Sequence, residues 1–536
     1  MANRVLLINP FYPITETPSP PLGLAYLAGA LEAAGVTVQI LDLVVMPKTP
    51  TTIAEALNRF QPDVVGVTAV TMSAETAFTI VREVKAIAPE MMTVMGGPHV
   101  TFSTDATLSA VPELDVIVRG EGEHTFLELL TETDPRRWHK IPGLAFRENG
   151  GTRHTPWRAP ENDLNRLPDP ARHGLPLGRY RTLGMPVSVT TSRGCPFQCA
   201  FCVGRRMVGS RVRYRPPLRV VNEIQGLADL GFRQVNLADD LFTANPRHCL
   251  TICDEILRRR LSIRWSSFAR VDTVSVPLLT RMREAGCHAV SFGIESGSPD
   301  ILKRVGKKIT LAQAEDAVAM CRQAGLEAHA SFILGLPGET TETLEQTMTF
   351  ARRLEKQGLN YGFHLLAPFP GTAIGDDPEH FGLQVLSRHW PDYHANRAIC
   401  LPRGMDPSRL DAIAERWQAR FLDYLADIQK RMESGGVSEK EAALIHNMNR
   451  TAILYELMMT QILEEIVPFD DREDASADDD KAVEALSQRV ARRLPDWPPG
   501  TIRDALGHAW QKDGLHRQTT PDGKTAWGWV DYLPVP

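Results

Sequence analysis

The sequence predicts an α/β protein in three parts: an amino-terminal Rossmann-like open parallel sheet, a central partial (βα)6 barrel of the TIM type, and a carboxy-terminal, mainly helical domain. Short, unbroken apolar runs alternate with helical patterns in the first quarter of the chain and again in its middle. Such alternation is typical of parallel sheets covered by helices on both faces. Long amphipathic helical patterns then follow. The length of 536 residues is sufficient for three or four domains.

The first domain is predicted over residues 1–135. Its strand candidates are 5–9, 36–43, 64–70, 92–96 and 116–119, and its helical patterns are 22–34, 53–60, 74–87 and 123–130. The turns that follow these strands are rich in glycine, proline, threonine and serine. Because the carboxyl ends of parallel strands form one edge of the sheet, we expect a ligand site at these turns.

A connector is predicted over residues 136–186, with a hairpin around Gly150. The barrel is predicted over residues 187–390. Its strand candidates are 187–191, 234–237, 263–268, 289–293, 328–334 and 361–367. Six such units with a helical pattern after each strand predict a barrel whose site lies at the carboxyl ends of the strands.

The last domain is predicted over residues 391–536. Helical patterns cover 410–432 and 439–467, an acidic stretch over 470–480 predicts a solvated loop, and two more helical patterns follow.

Charge and hydropathy exclude several classes of protein. There are 59 basic and 65 acidic residues, so no basic excess exists to neutralise nucleic-acid phosphates. No apolar run reaches the roughly 18 residues that an integral membrane segment needs, and the apolar run at the start is too short for a signal peptide. We therefore expect a cytoplasmic protein that binds no nucleic acid.

Three of the eight cysteines fall within eight residues, immediately after the first barrel strand. Cys195, Cys199 and Cys202 have the spacing C-x3-C-x2-C. Three thiolates on one loop hold three irons of a four-iron cluster and leave the fourth iron open, whereas a closed zinc site would need a fourth ligand nearby. The other five cysteines are scattered, and we expect them to pack in the core.

This cysteine loop resembles that of the radical S-adenosylmethionine (SAM) superfamily, which has an aromatic residue before the third cysteine, here Phe201. The resemblance covers about 187–386 and implies that the open iron chelates SAM. Further motifs resemble the acidic motif for the methionyl amine, a carboxylate partner, the ribose motif, the adenine-side motif and the sixth-strand ending. The SAM residues implied are Phe201, Ala238, Asp239, Asp240, Arg270, Glu295, Ser296, Ile333, Gly335 and Pro370. The acidic motif departs from the commonest form, Gly-Gly-Glu.

The first domain resembles the cobalamin-binding domain that precedes many radical SAM domains. The cobalamin contacts implied are Thr68, Ser73, Gly96, Gly97, Pro98, His99, Gly120, Glu121, Gly122 and Glu123. Glycines at these turns let the backbone approach a bulky macrocycle, and hydroxyls bind its amide arms. The Asp-x-His-x-x-Gly motif of methionine-synthase-type domains is absent, so no histidine of that loop is positioned as a lower cobalt ligand.

Together the resemblances imply a transferase with a 4Fe-4S cluster, SAM and cobalamin as cofactors. The favoured reaction is radical SAM methyl transfer to an unactivated carbon of a small or medium-sized substrate, through a 5′-deoxyadenosyl radical and methylcobalamin. The alternatives are an oxidative cyclase or rearrangement enzyme without methyl transfer, as in the anaerobic magnesium-protoporphyrin ester cyclase group, and a non-catalytic cobalamin carrier or sensor. The partners implied are a small-molecule or peptide substrate and an electron donor such as flavodoxin or ferredoxin. Tyr361 and His364, on the last barrel strand, are candidates to face substrate.

Overall fold

The computed structural model describes residues 3–12, 18–132, 134–466, 479–521 and 524–534. Most of the acidic stretch predicted as a loop lies outside these residues. The described chain contains two large sheets, each covered by helices, and a helical carboxy-terminal region. The predicted fold class is confirmed.

The first sheet has the strand order β2-β1-β3-β4-β5-β6-β7, in which the first five strands are parallel and the last two antiparallel. Its strands are β1 Arg4–Asn9, β2 Thr37–Asp42, β3 Val64–Thr68, β4 Met92–Gly96, β5 Val116–Val118, β6 Leu144–Glu148 and β7 Gly151–His154. Its helices are α1 Leu22–Ala33, α2 Thr52–Phe60, α3 Ala74–Ile87, α4 Pro98–Phe102, α5 Thr104–Ala110 and α6 Glu123–Thr131. The hairpin predicted in the connector is β6 and β7, which extend this sheet. The short helix α7 Leu177–Thr182 then leads to the barrel.

The second sheet has six parallel strands in the order β15-β14-β13-β12-β11-β8. Its strands are β8 Val187–Val189, β11 Gln234–Leu237, β12 Arg264–Ala269, β13 Cys287–Glu295, β14 Glu327–Leu334 and β15 Leu359–Leu365, and a two-stranded ladder of β9 Ser192–Arg193 and β10 Arg213–Tyr214 flanks them. The helices of this region are α8 Gly204–Val208, α9 Pro217–Asp229, α10 Pro246–Arg258, α11 Val276–Glu284, α12 Pro299–Arg304, α13 Leu311–Ala324, α14 Thr341–Glu355 and α15 Ala373–Asp376.

The remaining elements form the carboxy-terminal region. They are β16 Leu383–Val385, β17 Cys400–Pro402, α16 Pro407–Glu433, α17 Glu439–Thr460, α18 Ile462–Glu465, α19 Asp479–Ala491, α20 Pro499–Gln511, β18 Leu515–Thr519 and β19 Thr525–Trp529. The Asp406 carboxylate caps α16 and the Ser438 hydroxyl caps α17; each accepts a hydrogen bond from a backbone N–H of its helix. No helix in the described ranges is both long and apolar enough to cross a membrane.

A buried carboxylate at the end of β2 links the first sheet to the connector. Asp42 is fully buried and accepts hydrogen bonds from the Tyr180 hydroxyl and the Asn9 amide, both at 2.7 Å. Burial raises the pKa of Asp42 to about 6 from 3.8, although these hydrogen bonds oppose the rise. Tyr455 of α17 donates to the Val44 carbonyl oxygen, so the carboxy-terminal region joins the same contact.

We expect the stability of the chain to decrease as the pH rises through about 6 because of Asp42. The folded state holds this proton more tightly than the unfolded state, so its stabilising effect is complete below pH 4 and is lost as the carboxylate ionises. A shift of roughly two pKa units corresponds to about 3 kcal/mol. Unfolding of Asp42→Asn should therefore depend less on pH between about 4 and 6.5 than that of the parent, measured as the unfolding midpoint in urea.

Tyr180→Phe is the matched control. It removes one bond that lowers the pKa of Asp42, so its loss of stability should occur at higher pH than in the parent. Parallel pH profiles for all three proteins would contradict this account.

Candidate active site between the two sheets

A cavity of about 560 Å3 lies where the carboxyl edges of the two sheets face each other. The first domain lines one part of the cavity with apolar side chains (the apolar arm), and the barrel lines another part with polar groups from the ends of β8 and β11. The apolar lining includes Leu7, Leu24, Val94 and Phe126, and the polar lining includes Ser188, Thr190, Ser192 and Asp240. The predicted cobalamin site and the predicted SAM site therefore border the same cavity.

The turn after β4 is shaped by a glycine that no other residue can replace without a clash. Gly97 has φ +96°, and a Cβ there would lie 2.7 Å from the Ala69 carbonyl oxygen and 2.9 Å from Thr68 Oγ1. The backbone of this turn can therefore approach a bulky ligand closely.

Eight of the ten residues predicted to contact cobalamin line this cavity. They are Thr68, Gly96, Gly97, Pro98, Gly120, Glu121, Gly122 and Glu123. Ser73 and His99 are not in its lining. The Ser73 hydroxyl accepts a hydrogen bond from the Val70 backbone N–H.

His99 lies in the interior of the first domain. It is 1% exposed, and its ring packs edge-on against Trp390 at 4.8 Å. Burial lowers its pKa to about 4, so the imidazole is neutral at pH 7. No histidine lines the cavity in the part of the chain that the structure describes.

Glu121 and Glu123 form buried ion pairs with arginines of the second domain. Arg193, two residues before Cys195, lies 2.8 Å from the Glu123 carboxylate and 3.4 Å from that of Glu121. Arg213 of β10 lies 2.6 Å from Glu121. Burial alone would raise the pKa of Glu123, but Arg193 holds it below its usual value. Sequence reasoning identified the carboxylates but not their arginine partners.

The cysteine loop follows β8, and the backbone anchors it on two sides. The Cys195 N–H donates to the Gly209 carbonyl oxygen at 3.1 Å, and the Ala200 N–H donates to that of Val305 at 2.9 Å. All three cysteines are free thiols; Cys195 and Cys199 are half-buried, and Cys202 is exposed.

The three thiols are not arranged around a single point. Among the described residues, no three side chains of His, Cys, Asp or Glu converge as they would on one metal ion. A four-iron cluster binds each thiolate through a different iron, so its ligands need not converge in that way. The donor set, three unpaired thiols on one anchored loop, fits such a cluster.

The two neighbouring aspartates after β11 point to different surroundings. Asp239 is buried and accepts hydrogen bonds from the hydroxyls of Thr191 and Ser192, both at 2.6 Å. Asp240 lines the cavity with Ala238 and accepts a 3.3 Å bond from the Gly194 N–H. The structure therefore brings Ala238 and Asp240 to the site, while Asp239 supports the start of the cysteine loop.

Two buried cations lie beside the cysteine loop. Arg270 forms a two-pronged 2.9 Å ion pair with Asp272, and its guanidinium lies 3.5 Å from the Phe197 ring centre. Lys307 donates to the Glu295 carboxylate at 2.7 Å, and its ammonium lies 5.9 Å from the Phe201 ring centre.

Burial raises the pKa of the Cys199 thiol, and the charges of Lys307 and Arg270 oppose that rise. Sequence reasoning missed Lys307, because a lysine in a Lys-Lys pair after a short helix is indistinguishable from a solvated charge. Lys307 is recognisable as a site residue only once Glu295 is known to be buried.

The remaining predicted SAM residues are spread around the barrel end. The Ser296 hydroxyl is buried against that of Thr347 at 3.1 Å, so it supports the turn after β13. Ile333 and Phe201 pack in one small apolar cluster. Gly335 has φ +87°, and its N–H donates to Glu339, whose pKa burial raises to about 8. Pro370 lines a separate cavity nearby.

The two candidates on β15 lie on opposite faces of the strand. Tyr361 packs against Trp417 of α16 at 4.6 Å and against Phe363 at 5.4 Å, on the side that faces the helices. His364 is half-buried on the other face, beside Ile333 of β14. The structure thus directs only His364 toward the inside of the barrel.

The five remaining cysteines are buried. They are Cys249, Cys253, Cys287, Cys321 and Cys400. Burial raises the pKa of Cys321 and of Cys400 to about 12, so these two thiols are protonated and unreactive at neutral pH. The prediction that these five cysteines pack in the core is confirmed.

Comparisons with known proteins identify both large domains. The family described as the B12 binding domain matches residues 15–130, and the Radical SAM superfamily matches residues 189–351. A protein of Pyrococcus horikoshii named as an uncharacterized methyltransferase is 39% identical over 384 residues, which cover 71% of this chain and 83% of that protein. The chain belongs to the cobalamin-dependent radical SAM family.

Another relative is named as a cyclase rather than as a methyltransferase. The anaerobic magnesium-protoporphyrin IX monomethyl ester cyclase of Rubrivivax gelatinosus is 32% identical over 441 residues, which cover 78% of each chain. The cofactors of this family, and of this chain, are cobalamin, SAM and a 4Fe-4S cluster.

Two solved structures share the fold. The cobalamin-dependent SAM radical enzyme OxsB, with aqua-cobalamin and SAM bound, has a TM-score of 0.65 and 18% identity and covers 96% of this chain and 79% of its own. The radical SAM methyltransferase TsrM from Kitasatospora setae, with tryptophan substrate and a SAM analog bound, has a TM-score of 0.62 and 23% identity and covers 78% and 89%. At these identities the likeness establishes the architecture alone.

We expect Cys195→Ala to remove the cluster and leave cobalamin in place. The loss of one of three thiolates deprives one iron of its protein ligand, whereas the glycine turns of the first domain are untouched. After anaerobic reconstitution with iron, sulfide and hydroxocobalamin, the variant should lose most of its iron and its iron–sulfur absorbance but keep the cobalamin bands.

Cys321→Ala is the control, because it also deletes a sulfur from the barrel but a buried one that lies away from the loop. It should retain both sets of bands. Equal iron content in the two variants would refute the assignment of the loop.

Proposed function

We propose that the chain is a methyltransferase that methylates an unactivated carbon within the cavity between the two sheets. The observation that carries this proposal is that a single space is lined by residues predicted for both cofactors. Gly97 and Gly120 approach it from the first domain, and Ala238 and Asp240 approach it from the barrel. A substrate there has access to both cofactors without leaving the protein.

When bound, the cluster and SAM supply a radical that removes a hydrogen atom, and cobalamin supplies the methyl group. The residues of the chain hold and shield these groups. Leu7, Val94 and Phe126 exclude water from the apolar arm, where a flat hydrophobic ligand is stabilised by burial. Asp240 presents an acceptor at the opposite wall, and Arg270 and Lys307 place positive charge beside the cysteine loop.

The names of relatives support methyl transfer. Besides the Pyrococcus protein, the cytidylyl-2-hydroxyethylphosphonate methyltransferase of Streptomyces wedmorensis is 26% identical over 438 residues, which cover 80% of that protein. The second candidate function is oxidative cyclisation without methyl transfer, and the Rubrivivax cyclase favours it.

We further propose that a small acidic electron carrier, of the flavodoxin or ferredoxin type, binds beside the exposed Cys202. Arg205 of α8, three residues after this cysteine, places positive charge beside the loop, whereas the neighbouring Arg206 is paired with Asp376. Electron transfer to the loop needs a short path through protein, and this is the exposed side. The eight unpaired thiols suit the reducing cytoplasm, and we propose that the protein acts there. We also propose the domain boundaries 1–135, 187–390 and 391–536, with a connector over 136–186.

We expect label to enter the product when the reconstituted enzyme acts on its substrate with SAM that carries a labelled methyl group. Methyl transfer consumes a second SAM to make 5′-deoxyadenosine, so that compound should accumulate in about equal amount to labelled product. Mass spectrometry of the reaction mixture measures both. The Cys195→Ala variant is the control and should form neither.

Production of 5′-deoxyadenosine with an unlabelled, oxidised product would favour the cyclase candidate. Absence of both would exclude either reaction and leave a cobalamin carrier.

A further inference from the structure

A second cavity, of about 440 Å3, lies on the other side of the turn after β5. It is bounded by α4 and α5 of the first domain, by the segment after β15, and by the chain after β16. Its lining includes Arg119, Trp157, Arg206, Arg388 and Trp390. None of these residues was predicted to contact a cofactor.

Arg119 is a buried cation, and the charge of Asp105 acts on it from beyond ion-pair distance. It is 5% exposed, its Nε has no hydrogen-bond partner, and its Nη2 donates to the Thr155 carbonyl oxygen. Within the described residues no carboxylate lies in ion-pair range of its guanidinium. Burying an uncompensated charge is costly, so such a group indicates an anion that binds beside it.

The acidic residues of this cavity are already paired. Asp105 accepts from His154 at 2.8 Å, and Asp376 pairs with Arg206. Arg388, which is exposed at the mouth, has no ion pair in the described ranges. Three arginines and two aspartates line the cavity, so it retains one excess positive charge.

Aromatic rings line the same space. The Arg119 guanidinium lies 4.7 Å from the Trp157 ring centre, and Trp157 lies 6.2 Å from the ring of Phe102. Trp157 is 52% exposed, although most tryptophans of folded proteins are largely buried. Trp390 and Tyr393 form a second aromatic wall, with ring centres 5.2 Å apart.

We propose that this cavity binds the anionic end of the substrate, a carboxylate or phosphate on a planar organic body, with Arg119 and Arg388 as charge partners and Trp157 against the planar part. The cavity adjoins the cysteine loop through Arg206, four residues after Cys202, which also reaches the Gly371 carbonyl oxygen at 2.8 Å. The identification of the ligand as the substrate rests on the proposed methyl transfer; the binding of an anion does not.

Binding is measured without turnover, on the full-length protein loaded with hydroxocobalamin. Phenyl phosphate is the probe and benzyl alcohol the neutral comparison, both titrated by isothermal calorimetry. We expect phenyl phosphate to bind at one site and benzyl alcohol not to bind. Arg388→Met should weaken binding about tenfold or more through the loss of a charge-assisted contact. Arg82→Met, which removes an exposed arginine elsewhere in the first domain, should leave it unchanged.

Arg119→Met separates the substrate from the second source of an organic phosphate, the nucleotide arm of cobalamin. We expect it to abolish phenyl phosphate binding and to leave the affinities for cobalamin and for cobinamide, which lacks that phosphate, equal to those of the parent. Weaker binding of cobalamin but not cobinamide would overturn the assignment to substrate. Failure of phenyl phosphate to bind the parent protein would overturn the anion site itself, whether or not labelled methyl reaches product.

Discussion

The contact between Glu121 and Glu123 of the first domain and Arg193 and Arg213 of the second sets the geometry of the active site. All four charged groups are removed from most of the solvent, so removal of one partner would leave a buried charge uncompensated, which is far more costly than breaking an exposed ion pair. Arg193 is part of the ladder that leads into the cysteine loop, and the two glutamates flank Gly122 at the end of β5. The same contact therefore fixes the position of the cysteine loop relative to the glycine turn after β5.

The charge distribution follows from that arrangement. The first domain contributes an apolar arm and glycine turns, which suit a large and largely neutral macrocycle. The barrel contributes hydroxyls and Asp240 to the same cavity and keeps two cations, Arg270 and Lys307, behind the cysteine loop. Each cation has a carboxylate partner of its own, so neither is an uncompensated charge before a ligand arrives. Arg119 differs from both, because none of the carboxylates that the structure describes lies within ion-pair distance of it.

Much of the fold could be predicted from the sequence, because unbroken apolar runs and helical periodicity follow directly from burial on two faces. The cysteine triad and the glycine turns could also be predicted, since their chemistry depends on spacing along the chain. Contacts between distant segments could not. Asp239 and Asp240 are adjacent in one turn, and only the fold shows that the first binds Thr191 while the second faces the cavity. Tyr361 and His364 are similarly divided by the alternation of a strand, whose register relative to the helices the sequence does not specify.

The carboxy-terminal region takes part in positioning the two sheets. Arg179 of α7 donates to the Asp531 carboxylate at 2.6 Å and to the Val45 carbonyl oxygen at 3.0 Å, so one side chain joins the last strand region to the first sheet. The Gly178 N–H donates to the Asp531 carbonyl oxygen, and a Cβ at this glycine would lie 1.8 Å from the Val530 oxygen. The connector is thus held between the first sheet and the end of the chain. The connector leads directly into β8 and the cysteine loop. The last part of the chain therefore constrains the distance between the cysteine loop and the first sheet, although none of its residues from 479 onward lines the cavity between the sheets in the described ranges.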